Sequence, residues 1–349
     1  MDGPKLETIR IEVPAMKPES FLAQTLAGKT AIALPYTLRN GTRVQVMDEG
    51  VIRFEPRDSA HRKLDLVISA GVHGNETAPV ELLDRLIGEV LSGRLKVRAR
   101  VLCVFGNIEA LRRGVRFVER DMNRLFCRLP DSHDGAEARR ATMLEMQLAR
   151  FFARAMQDGK PRLHYDLHTA IHGSLIEKFA IYPVPPEGKA FDREQIARLA
   201  RAGVSAVLLQ SARAPTFSYF SSQHCDAVSF TIELGRARPF GQNQGVDLSA
   251  MQRYLEQLIE GHLPAGGKGE APTVYRVSRE VMKRSAAFEL KIDGRTDNFT
   301  PLPQGMLLAA DEGGECRVDE ADARIVFPNP EVEIGQRAGL IVVPEHAGA

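Results

Sequence analysis

The sequence has no tryptophan, and aromatic residues make up only 6% of its 349 positions. It also has almost no excess charge, because 46 lysines and arginines are balanced by 45 aspartates and glutamates, for a formal net charge of +1. A balanced chain has no general electrostatic attraction to nucleic acid or to an anionic membrane. We therefore expect neither as a partner, and any positive potential has to be local.

Cysteine is scarce as well. The four cysteines stand at positions 103, 127, 225 and 316 without a C-x-x-C spacing, which argues against a cysteine-based metal site and fits reduced thiols. No apolar run approaches the roughly 18 residues of a membrane-spanning helix, and no cleavable signal pattern opens the chain. These features predict a cytoplasmic protein.

The sequence does contain alternating strand-like and helix-like segments, which are typical of an α/β fold. The length of the chain favours one large domain and a smaller one. We predict an α/β domain over residues 1–263, with a mixed sheet flanked by helices. A Gly- and Pro-rich linker follows at 264–272, and short alternating apolar runs predict a small β-sandwich or barrel domain over 273–349.

Near the start of the chain, the pattern predicts a hairpin. Residues Ala31–Leu38 and Arg43–Glu55 are expected to form its two strands around Asn40-Gly41, a common turn pair. The clearest amphipathic helices are predicted at 80–91, 137–156, 194–202 and 246–262.

The first candidate site lies on a predicted strand, loop and helix. The apolar, branched run Leu64–Ala70 ends at Gly71, and Pro79 suits the first turn of a helix, where its missing N–H would be unpaired anyway. His73 and Glu76 therefore lie on a loop at the carboxyl end of a strand, where open α/β sheets place their ligands. Both are suitable zinc ligands, although this spacing alone is more typical of surface or capping residues.

A second strand-like run, Arg162–Ala170, contains His168 near its end. Along a strand, His164, Asp166 and His168 point to the same face. Two histidines and one carboxylate, with one position left open, form a catalytic zinc set, whereas structural zinc sites are more often closed by cysteine. Taken alone, His168 would be as consistent with a buried, hydrogen-bonded histidine, and Asp166 with a loop cap.

Glu233 stands near the end of a third apolar strand, Val228–Gly235. A carboxylate on such a strand is costly to bury unless it is paired, hydrogen-bonded or functional. Beside a metal site it has the chemistry of a general base that then acts as a general acid. The alternative is an edge-strand glutamate that faces solvent.

One stretch of the chain is unusually basic. Its five arginines, within thirteen residues, are Arg112, Arg113, Arg116, Arg120 and Arg124. Such a run is commonly a solvated face with salt bridges. Arginine also presents a planar fork that matches a carboxylate, and asparagine can donate beside it. If a metal is present, Asn123-Arg124 is therefore a candidate clamp for a substrate carboxylate.

Four motifs occur in a diagnostic order. They are Gly71-Val72-His73-Gly74-Asn75-Glu76, Asp121-Met122-Asn123-Arg124, Asp166-Leu167-His168-Thr169 and Thr231-Ile232-Glu233-Leu234-Gly235. Over residues 70–245 this order resembles the zinc carboxypeptidase superfamily, and within it the aspartoacylase/succinylglutamate desuccinylase family. The longer runs at 166–174 and 233–243 resemble the desuccinylase branch most closely. The resemblance implies a carboxypeptidase-like mixed sheet followed by a small C-terminal β domain.

The resemblance also implies an activity. One catalytic zinc ion per chain would be held by His73, Glu76 and His168, with Glu233 as the base. The reaction would be hydrolysis of the amide bond of a small N-acyl amino acid. In the desuccinylase branch the substrate is N-succinylglutamate and the products are succinate and glutamate, in the breakdown of arginine.

By the same resemblance, Asn123, Arg124 and Arg116, which lies seven residues before Asn123, bind the substrate carboxylate. Arg116 is also expected to stabilise the oxyanion. Tyr219 matches a substrate-contacting tyrosine, although a tyrosine covering a small apolar patch is the alternative. It stands in the stretch Thr216–His224, which shows no clear period and is predicted to be a loop over the site.

The chain departs from aspartoacylase at one position. Where aspartoacylase carries an arginine ten residues before the catalytic glutamate, this chain has Gln223. This departure argues against simple recognition of N-acetylaspartate, so another basic group has to hold the carboxylate at the acyl end. Arg236, Arg238 and the Arg112–Arg113 pair stay open as candidates.

Several functions stay open from the sequence. The chain could act on another N-acyl amino acid, such as N-acetylaspartate, or remove a C-terminal residue from a short peptide. It could bind acyl-amino acids through a metal without turning them over, but binding alone needs no general base such as Glu233. A metal-free α/β protein is the remaining alternative. If a metal is bound, the N/N/O ligand set favours zinc over Mg²⁺ or Ca²⁺.

Overall fold

The computed structural model describes residues 20–30, 32, 34–58, 62–127, 134–266 and 271–345. Residues 1–19 of the predicted large domain and 267–270 of the predicted linker lie outside these ranges.

Helices and strands alternate through most of the chain. The helices are α1 (Phe21–Leu26), α2 (Thr77–Leu91), α3 (Ile108–Arg113), α4 (Ala136–Asp158), α5 (Arg193–Leu199), α6 (Phe217–Cys225) and α7 (Ser249–Ile259). The first strands are β1 (Tyr36–Thr37), β2 (Arg43–Asp48), β3 (Val51–Glu55), β4 (Asp65–Ala70), β5 (Arg100–Phe105), β6 (Arg162–Ala170), β7 (Lys178–Tyr182), β8 (Ala206–Leu209) and β9 (Val228–Arg236). The C-terminal strands are β10 (Thr273–Met282), β11 (Glu289–Leu290), β12 (Thr300–Pro301), β13 (Leu307–Asp311), β14 (Gly314–Arg317), β15 (Arg324–Val326) and β16 (Arg337–Pro344).

One large mixed sheet organises the fold. In the described ranges it has thirteen strands in the order β1-β2-β3-β5-β4-β6-β9-β7-β8-β10-β16-β15-β12. Its centre is parallel, because β4 pairs with β5 and β6, and β6 pairs with β9. By contrast, β3 and β7 pair antiparallel with β5 and β9. The predicted α/β fold class is confirmed.

Helices cover both faces of the parallel centre. Along β4, Leu66 and Ile68 pack into the core on one face and Val67 into the core on the other, as the alternation of side chains along a strand requires. A strand covered on both faces is buried along its whole length, as β4 is, and its polar side chains Asp65 and Ser69 are buried with hydrogen-bond partners. Helices α1, α2, α3, α5 and α7 contribute to the first core, and α4 and α6 contribute to the second.

The C-terminal region is rich in strands, as predicted, but part of it continues the main sheet. Strand β10 pairs in parallel with β8, with Thr273 opposite Ala206, and β16 pairs antiparallel with β10. Strands β11, β13 and β14 form a separate small sheet beside it. A core of its own, which includes Leu308, Val318 and Ile341, is shared by this small sheet and the C-terminal strands of the main sheet.

Both strands that were predicted for the hairpin near the start of the chain differ from those in the structure. The hairpin around Asn40-Gly41 exists, since Thr37 pairs with Arg43, but the predicted strand Arg43–Glu55 is two strands that turn between Asp48 and Val51. Gly50, with φ +69°, makes this turn possible, and its signal is hidden inside an otherwise strand-like run. Of the other predicted strand, Ala31–Leu38, only Tyr36–Thr37 is a strand in the described ranges.

The predicted loop at Thr216–His224 is the helix α6. The Thr216 side chain caps the helix by accepting the N–H of Tyr219. Phe217 and Phe220 on the same helix are buried in the core against α4. Serines and aromatic residues have modest helix propensity, so it is packing and capping that decide this segment, and neither shows as a clear period in the sequence.

Among the described helices, none is both long enough and apolar enough to cross a membrane.

Candidate metal centre

The first two candidate ligands lie on a tight loop between β4 and α2. Gly71 ends the strand with φ +73°, a conformation that favours glycine. Gly74 lies so close to α3 that a Cβ at this position would be 2.1 Å from the carbonyl carbon of Ala110. The loop therefore needs glycine between its ligands, and it buries both, since His73 is 4% exposed and Glu76 is 2% exposed.

His168 reaches the same place from β6. Strands β4, β6 and β9 are parallel neighbours, so their carboxyl ends meet at one edge of the sheet. The register pairs Ala70 with Leu167, and His168 with Glu233. Within the described residues, one group of three or more His, Cys, Asp or Glu side chains is placed to hold a metal. It is the predicted group of His73, Glu76 and His168.

The carboxylate of Glu76 lies between the two imidazole rings. One of its oxygens is 2.8 Å from His73 Nδ1, and the other is 3.0 Å from His168 Nδ1. The ring centroids are 5.2 Å apart, and the three ligand atoms lie within 4.8 Å of one another. Two nitrogens and one carboxylate oxygen that converge in this way fit a zinc ion with an open coordination position.

Each candidate histidine ligand also contacts a second carboxylate. His73 Nε2 is 2.9 Å from Asp121 Oδ1, and His168 Nε2 is 2.9 Å from Asp166 Oδ2. Every ring nitrogen of the two histidines therefore faces a carboxylate oxygen. A metal held at the two Nδ1 atoms would take the place of their protons, and Asp121 and Asp166 would then accept the remaining proton of each ring from Nε2. The shared strand face of Asp166 and His168 was predicted.

The role of Asp121 was missed by the sequence analysis, although the residue stands in one of the four motifs. It begins the short helical turn Met122–Arg124 and accepts the N–H of Asn123 at 2.9 Å, as an ordinary capping aspartate would. Only the fold reveals that the same carboxylate reaches His73, 48 positions earlier in the chain.

Buried charges stabilise one another in this cluster. Burial alone would raise the pKa of Glu76, but the charges and hydrogen bonds of His73 and His168 outweigh it and hold that pKa well below its usual value. The same balance lowers the pKa of Asp121, where His73 opposes the effect of burial. For His168, burial would lower the pKa, but the carboxylates of Asp166 and Glu76 raise it well above the ordinary value.

Glu233 faces this cluster as an unpartnered acid. Its side chain is 7% exposed, and its Oε2 atom finds no hydrogen-bond partner in the described part of the chain. Burial, followed by the negative charge of Glu76, raises the pKa of Glu233 to about 7. A carboxyl group with this pKa takes up and releases protons near neutral pH, as a general acid–base group requires.

Arg116 borders the ligand cluster. Its Nη1 atom donates to Glu76 Oε1 at 2.9 Å, and its Nη2 atom is 3.9 Å from Asp121 Oδ2. The side chain is 28% exposed, so its guanidinium joins the buried ligands to the solvent-accessible side of the site.

The other predicted substrate-binding residues lie on two neighbouring elements. Asn123 is buried, and its Oδ1 atom accepts the N–H of Phe217 at 3.0 Å, which ties the turn to the start of α6. Within the described residues, the guanidinium of Arg124 donates a hydrogen bond to the backbone oxygen of its neighbour, Asn123, at 3.0 Å. Tyr219 is 7% exposed on α6, and burial raises its pKa.

Glu137, a second residue that the sequence analysis missed, anchors the loop after Arg116. Its carboxylate accepts the backbone N–H groups of Val118, Glu119 and Arg120, at 2.7, 3.0 and 2.6 Å, and the side-chain amide of Asn107 at 2.7 Å. Burial would raise the pKa of Glu137, but these hydrogen bonds outweigh it and lower that pKa. A glutamate in the first turn of a helix gives no sequence signal of such a clamp.

Several basic groups surround the loop that follows β6. Burial lowers the pKa of His172, and the positive charges of Arg236, Arg116 and Arg295 lower it further. The arginines of the predicted acyl-end candidates differ in their partners. Arg112 pairs with Glu49 and Arg113 with Glu109, whereas no ion-pair partner of Arg236 or Arg238 occurs among the described residues. Arg112, Arg113 and Arg238 line a cavity of about 510 Å³ that Asn75 and Thr77, the neighbours of Glu76, also line.

Comparison with known proteins identifies the family of this chain. The family "Succinylglutamate desuccinylase/Aspartoacylase catalytic domain" matches residues 62–259. The chain belongs to this family. The accompanying "AstE/AspA barrel-sandwich hybrid domain" matches residues 270–345. The predicted family is thereby confirmed, and with it the class of enzyme, a hydrolase.

Individual members of the family are similar over nearly the whole chain. The succinylglutamate desuccinylase of Pseudomonas paraeruginosa is 50% identical over 93% of this chain and 97% of its own length. The enzyme of the same name from Pseudomonas aeruginosa (strain LESB58) is 49% identical with the same coverage.

Solved structures in the family have the same fold. The succinylglutamate desuccinylase of Chromobacterium violaceum superposes with a TM-score of 0.80 at 40% identity, over 95% of this chain and 99% of that one. The Vibrio cholerae enzyme superposes with a TM-score of 0.87 at 32% identity, over 95% and 96% of the two chains. The roles of the individual site residues stay predictions.

Proposed function

We propose that this family member hydrolyses N-succinylglutamate to succinate and glutamate with one zinc ion per chain. The observation that carries this proposal is the convergence of His73, Glu76 and His168 at one sheet edge, with Glu233 paired to His168 across the strands. The choice of substrate rests on the names of relatives that are 49–50% identical over most of the chain.

Zinc is the metal that the donor set favours. Two imidazole nitrogens and a carboxylate suit Zn²⁺, whereas Mg²⁺ and Ca²⁺ prefer sites made of oxygen alone. A zinc ion held by these residues would supply Lewis acidity that activates a water molecule and polarises the amide carbonyl. The carboxylates of Asp121 and Asp166 support this role, because each would accept the Nε2 proton of a histidine that binds the metal through Nδ1.

Glu233 is the proton carrier of the proposed mechanism. Its carboxylate takes a proton from the attacking water as the new C–O bond forms at the acyl carbon. It then gives that proton to the amide nitrogen as the C–N bond breaks, so that glutamate leaves as the free amine. The raised pKa of Glu233, about 7, supports both steps, because neither the base form nor the acid form is strongly favoured at neutral pH.

Arginines provide the positive charge of the proposed site. Arg116, which borders the ligands, would stabilise the negative charge that develops on the carbonyl oxygen. Asn123 and Arg124 would orient the carboxylate of the leaving amino acid, so that the amide bond lies over the metal site. Tyr219, on the adjacent helix, is proposed to contact the substrate beside them.

Arg236 is the candidate that we propose for the carboxylate at the acyl end. It follows Glu233 on β9, its register partner is Ala170 just after His168, and it is exposed. Its charge acts on His172, in the loop that leaves β6. The pair Arg112–Arg113 is a weaker candidate, because its charges are already neutralised by Glu49 and Glu109.

We further propose the domain limits 1–263, 264–272 and 273–349, with the C-terminal domain closing one side of the cleft. In support, Asn298 donates its backbone N–H to Gly173 O at 2.9 Å, within the loop that follows His168. The positions 174 and 298 also form an isolated β-bridge. Such contacts would limit substrates to small acyl-amino acids.

The proposed cellular setting is the cytoplasm, in the succinyl-transfer route of arginine breakdown. The free thiols of Cys103, Cys127, Cys225 and Cys316 support a reducing compartment. The place in arginine breakdown rests on the family resemblance alone.

A substrate panel tests this function. Purified, zinc-loaded protein is given N-succinylglutamate, N-acetylglutamate, N-acetylaspartate and a dipeptide, and release of the free amino acid is measured at several substrate concentrations. We expect the highest kcat/KM for N-succinylglutamate. A higher value for N-acetylaspartate or for the dipeptide would contradict the proposed substrate, while turnover of none of them would contradict the proposed hydrolase site.

A further inference from the structure

A row of buried polar side chains runs from His168 into the interior of the protein. Asp166 Oδ1 accepts the hydroxyl proton of Ser69 at 2.6 Å, and Ser69 Oγ is 2.9 Å from His164 Nε2. On the other side of that ring, His164 Nδ1 is 2.7 Å from Ser221 Oγ. All four of these side chains are completely buried.

The directions of the hydrogen bonds between Asp166 and His164 follow from the carboxylate at the end of the row. Asp166 accepts from His168 Nε2–H on one oxygen and from the Ser69 hydroxyl on the other. Because Ser69 has only one proton, it has to accept from His164, so the proton of that ring is on Nε2. His164 Nδ1 is then the acceptor nitrogen of the ring, and it faces the Ser221 hydroxyl, which also lies 3.0 Å from Ser218 O and 2.8 Å from Ser229 Oγ.

The opposite arrangement would leave the row unsatisfied. With its proton on Nδ1, His164 would need the Ser69 hydroxyl as a donor, and Asp166 would lose that hydrogen bond in a fully buried site. An unsatisfied buried carboxylate oxygen is costly. The neutral state that this row requires also agrees with the pKa of His164, which burial lowers to about 4.

The row has a feature that a merely structural polar cluster would not need. The donors of His164 and Ser69 both point towards the carboxylate that receives His168 Nε2–H. Hydrogen bonds aligned in this way polarise one another, so the row holds Asp166 in one position and strengthens its hold on the histidine ring. Ser69, His164 and Ser221, on β4, β6 and α6, lie outside the proposed sets of metal ligands and substrate-binding residues.

We propose that His164 is a positioning residue for the metal centre. Acting through Ser69 and Asp166, its Nε2–H fixes the tautomer and the ring orientation of His168, and therefore the direction of the nitrogen offered to the metal. This inference rests on the proposed role of His168 as a metal ligand, but not on the identity of the substrate.

The test measures zinc affinity rather than turnover. The zinc-loaded protein competes with a chromogenic chelator, and the dissociation constant is compared among variants. We expect His164→Phe and Ser69→Ala to bind zinc about 10- to 100-fold more weakly, which is the usual effect of losing an outer partner of a metal-ligating histidine. His164→Gln keeps an N–H donor near the position of Nε2 and should recover much of this loss.

Ser218→Ala is the matched control. Ser218 is also buried on α6 and its hydroxyl contacts Thr231 at 2.7 Å, so its removal disturbs the same interior without breaking the row to His168. If His164→Phe fails to fold, Ser69→Ala and Ser221→Ala remove single hydroxyls and decide the question. Absorption of the cobalt-substituted proteins gives a second readout, because the ligand-field bands depend on the direction of the His168 nitrogen.

The inference is overturned if Ser69→Ala and the His164 variants bind zinc as tightly as the wild type, or no more weakly than Ser218→Ala. Equal losses in His164→Phe and His164→Gln would overturn it as well, because the N–H donor would then be irrelevant. A wild type that binds zinc but does not hydrolyse N-succinylglutamate would contradict the proposed substrate alone. A wild type that binds no zinc would contradict the metal centre and the inference together.

Discussion

His168 and Glu233 are direct partners in the parallel pairing of β6 and β9. The register runs without a break from Leu163 and Val228 up to this pair, and a register shift follows it before Ala170, so the sheet itself holds the candidate metal ligand and the candidate base together. A site built on paired strands is positioned more accurately than one built on free loops.

Replacing Glu233 by glutamine should remove turnover and leave zinc binding intact. Glutamine keeps the size of the side chain but cannot accept and return a proton, so we expect kcat to fall by about 10²- to 10⁴-fold. Zinc content, measured on the same preparation, should stay at the wild-type level because Glu233 is not a proposed ligand. A variant with wild-type kcat would remove Glu233 from the mechanism.

Asp121→Asn should weaken zinc binding through His73. Asparagine either loses the hydrogen bond to His73 Nε2 or forces the wrong tautomer, and such changes typically reduce metal affinity by about 10- to 100-fold. Chelator competition on the zinc-loaded protein measures the effect. Asp319→Asn, in an exposed ion pair with Arg279, is the control and should bind zinc like the wild type. Equal affinity of the two variants would show that the contact to Asp121 does not tune the site.

Arg236→Gln should affect substrates according to their acyl group. Losing a hydrogen bond between two charged groups commonly costs about 10- to 100-fold in binding, so kcat/KM for N-succinylglutamate should fall by that factor. The value for N-acetylglutamate, which has no carboxylate on its acyl group, should change little. Arg238→Gln is the control on the same exposed segment. If Arg236→Gln lowers kcat/KM equally for both substrates, Arg236 does not bind the carboxylate at the acyl end.

Glu137→Gln should destabilise the protein near neutral pH, and less so in acid. In the folded protein the pKa of Glu137 lies below its ordinary value of 4.5, so its ionised form stabilises the fold above that pH and this contribution is lost as the pH falls through the folded pKa. At pH 7 we expect a loss of about 1–3 kcal/mol in the free energy of unfolding.

Urea titrations of the wild type and of Glu137→Gln, at pH 7 and at about pH 4, measure this difference. It should shrink at the lower pH, because a protonated glutamate resembles glutamine. Glu119→Gln removes an exposed carboxylate next to the same loop and serves as the control. A difference that grows in acid would contradict the role of the carboxylate as a clamp.

Much of the candidate site could be predicted because its ligands sit on short, local patterns. His73 and Glu76 follow an apolar strand and precede a helix, and His168 ends another strand, so parallel pairing alone brings them together. The contact between Asp121 and His73 could not be predicted, because it joins elements 48 positions apart that meet only in the folded chain. The same reason hides Ser69 and Ser221, whose partner His164 is on a third element.

Parts of the fold were unpredictable for a different reason. The segment that forms α6 has few strong helix formers, and its helix depends on the Thr216 cap and on the burial of Phe217. In the sequence, β10 has the pattern of the first strand of a separate domain. Nothing in the residues Thr273–Met282 indicates that β8 is its partner. Long-range pairing of this kind is decided by the whole sheet and not by the local sequence.

The measurement that tests the account most directly is the activity of metal-stripped protein as zinc is returned. Hydrolysis of N-succinylglutamate should be absent after chelation and should rise in proportion to added zinc until about one ion per chain is bound. Further zinc should add nothing, and His168→Ala should not recover at the same zinc concentrations. Full activity in protein shown to be free of metal would contradict the central claim.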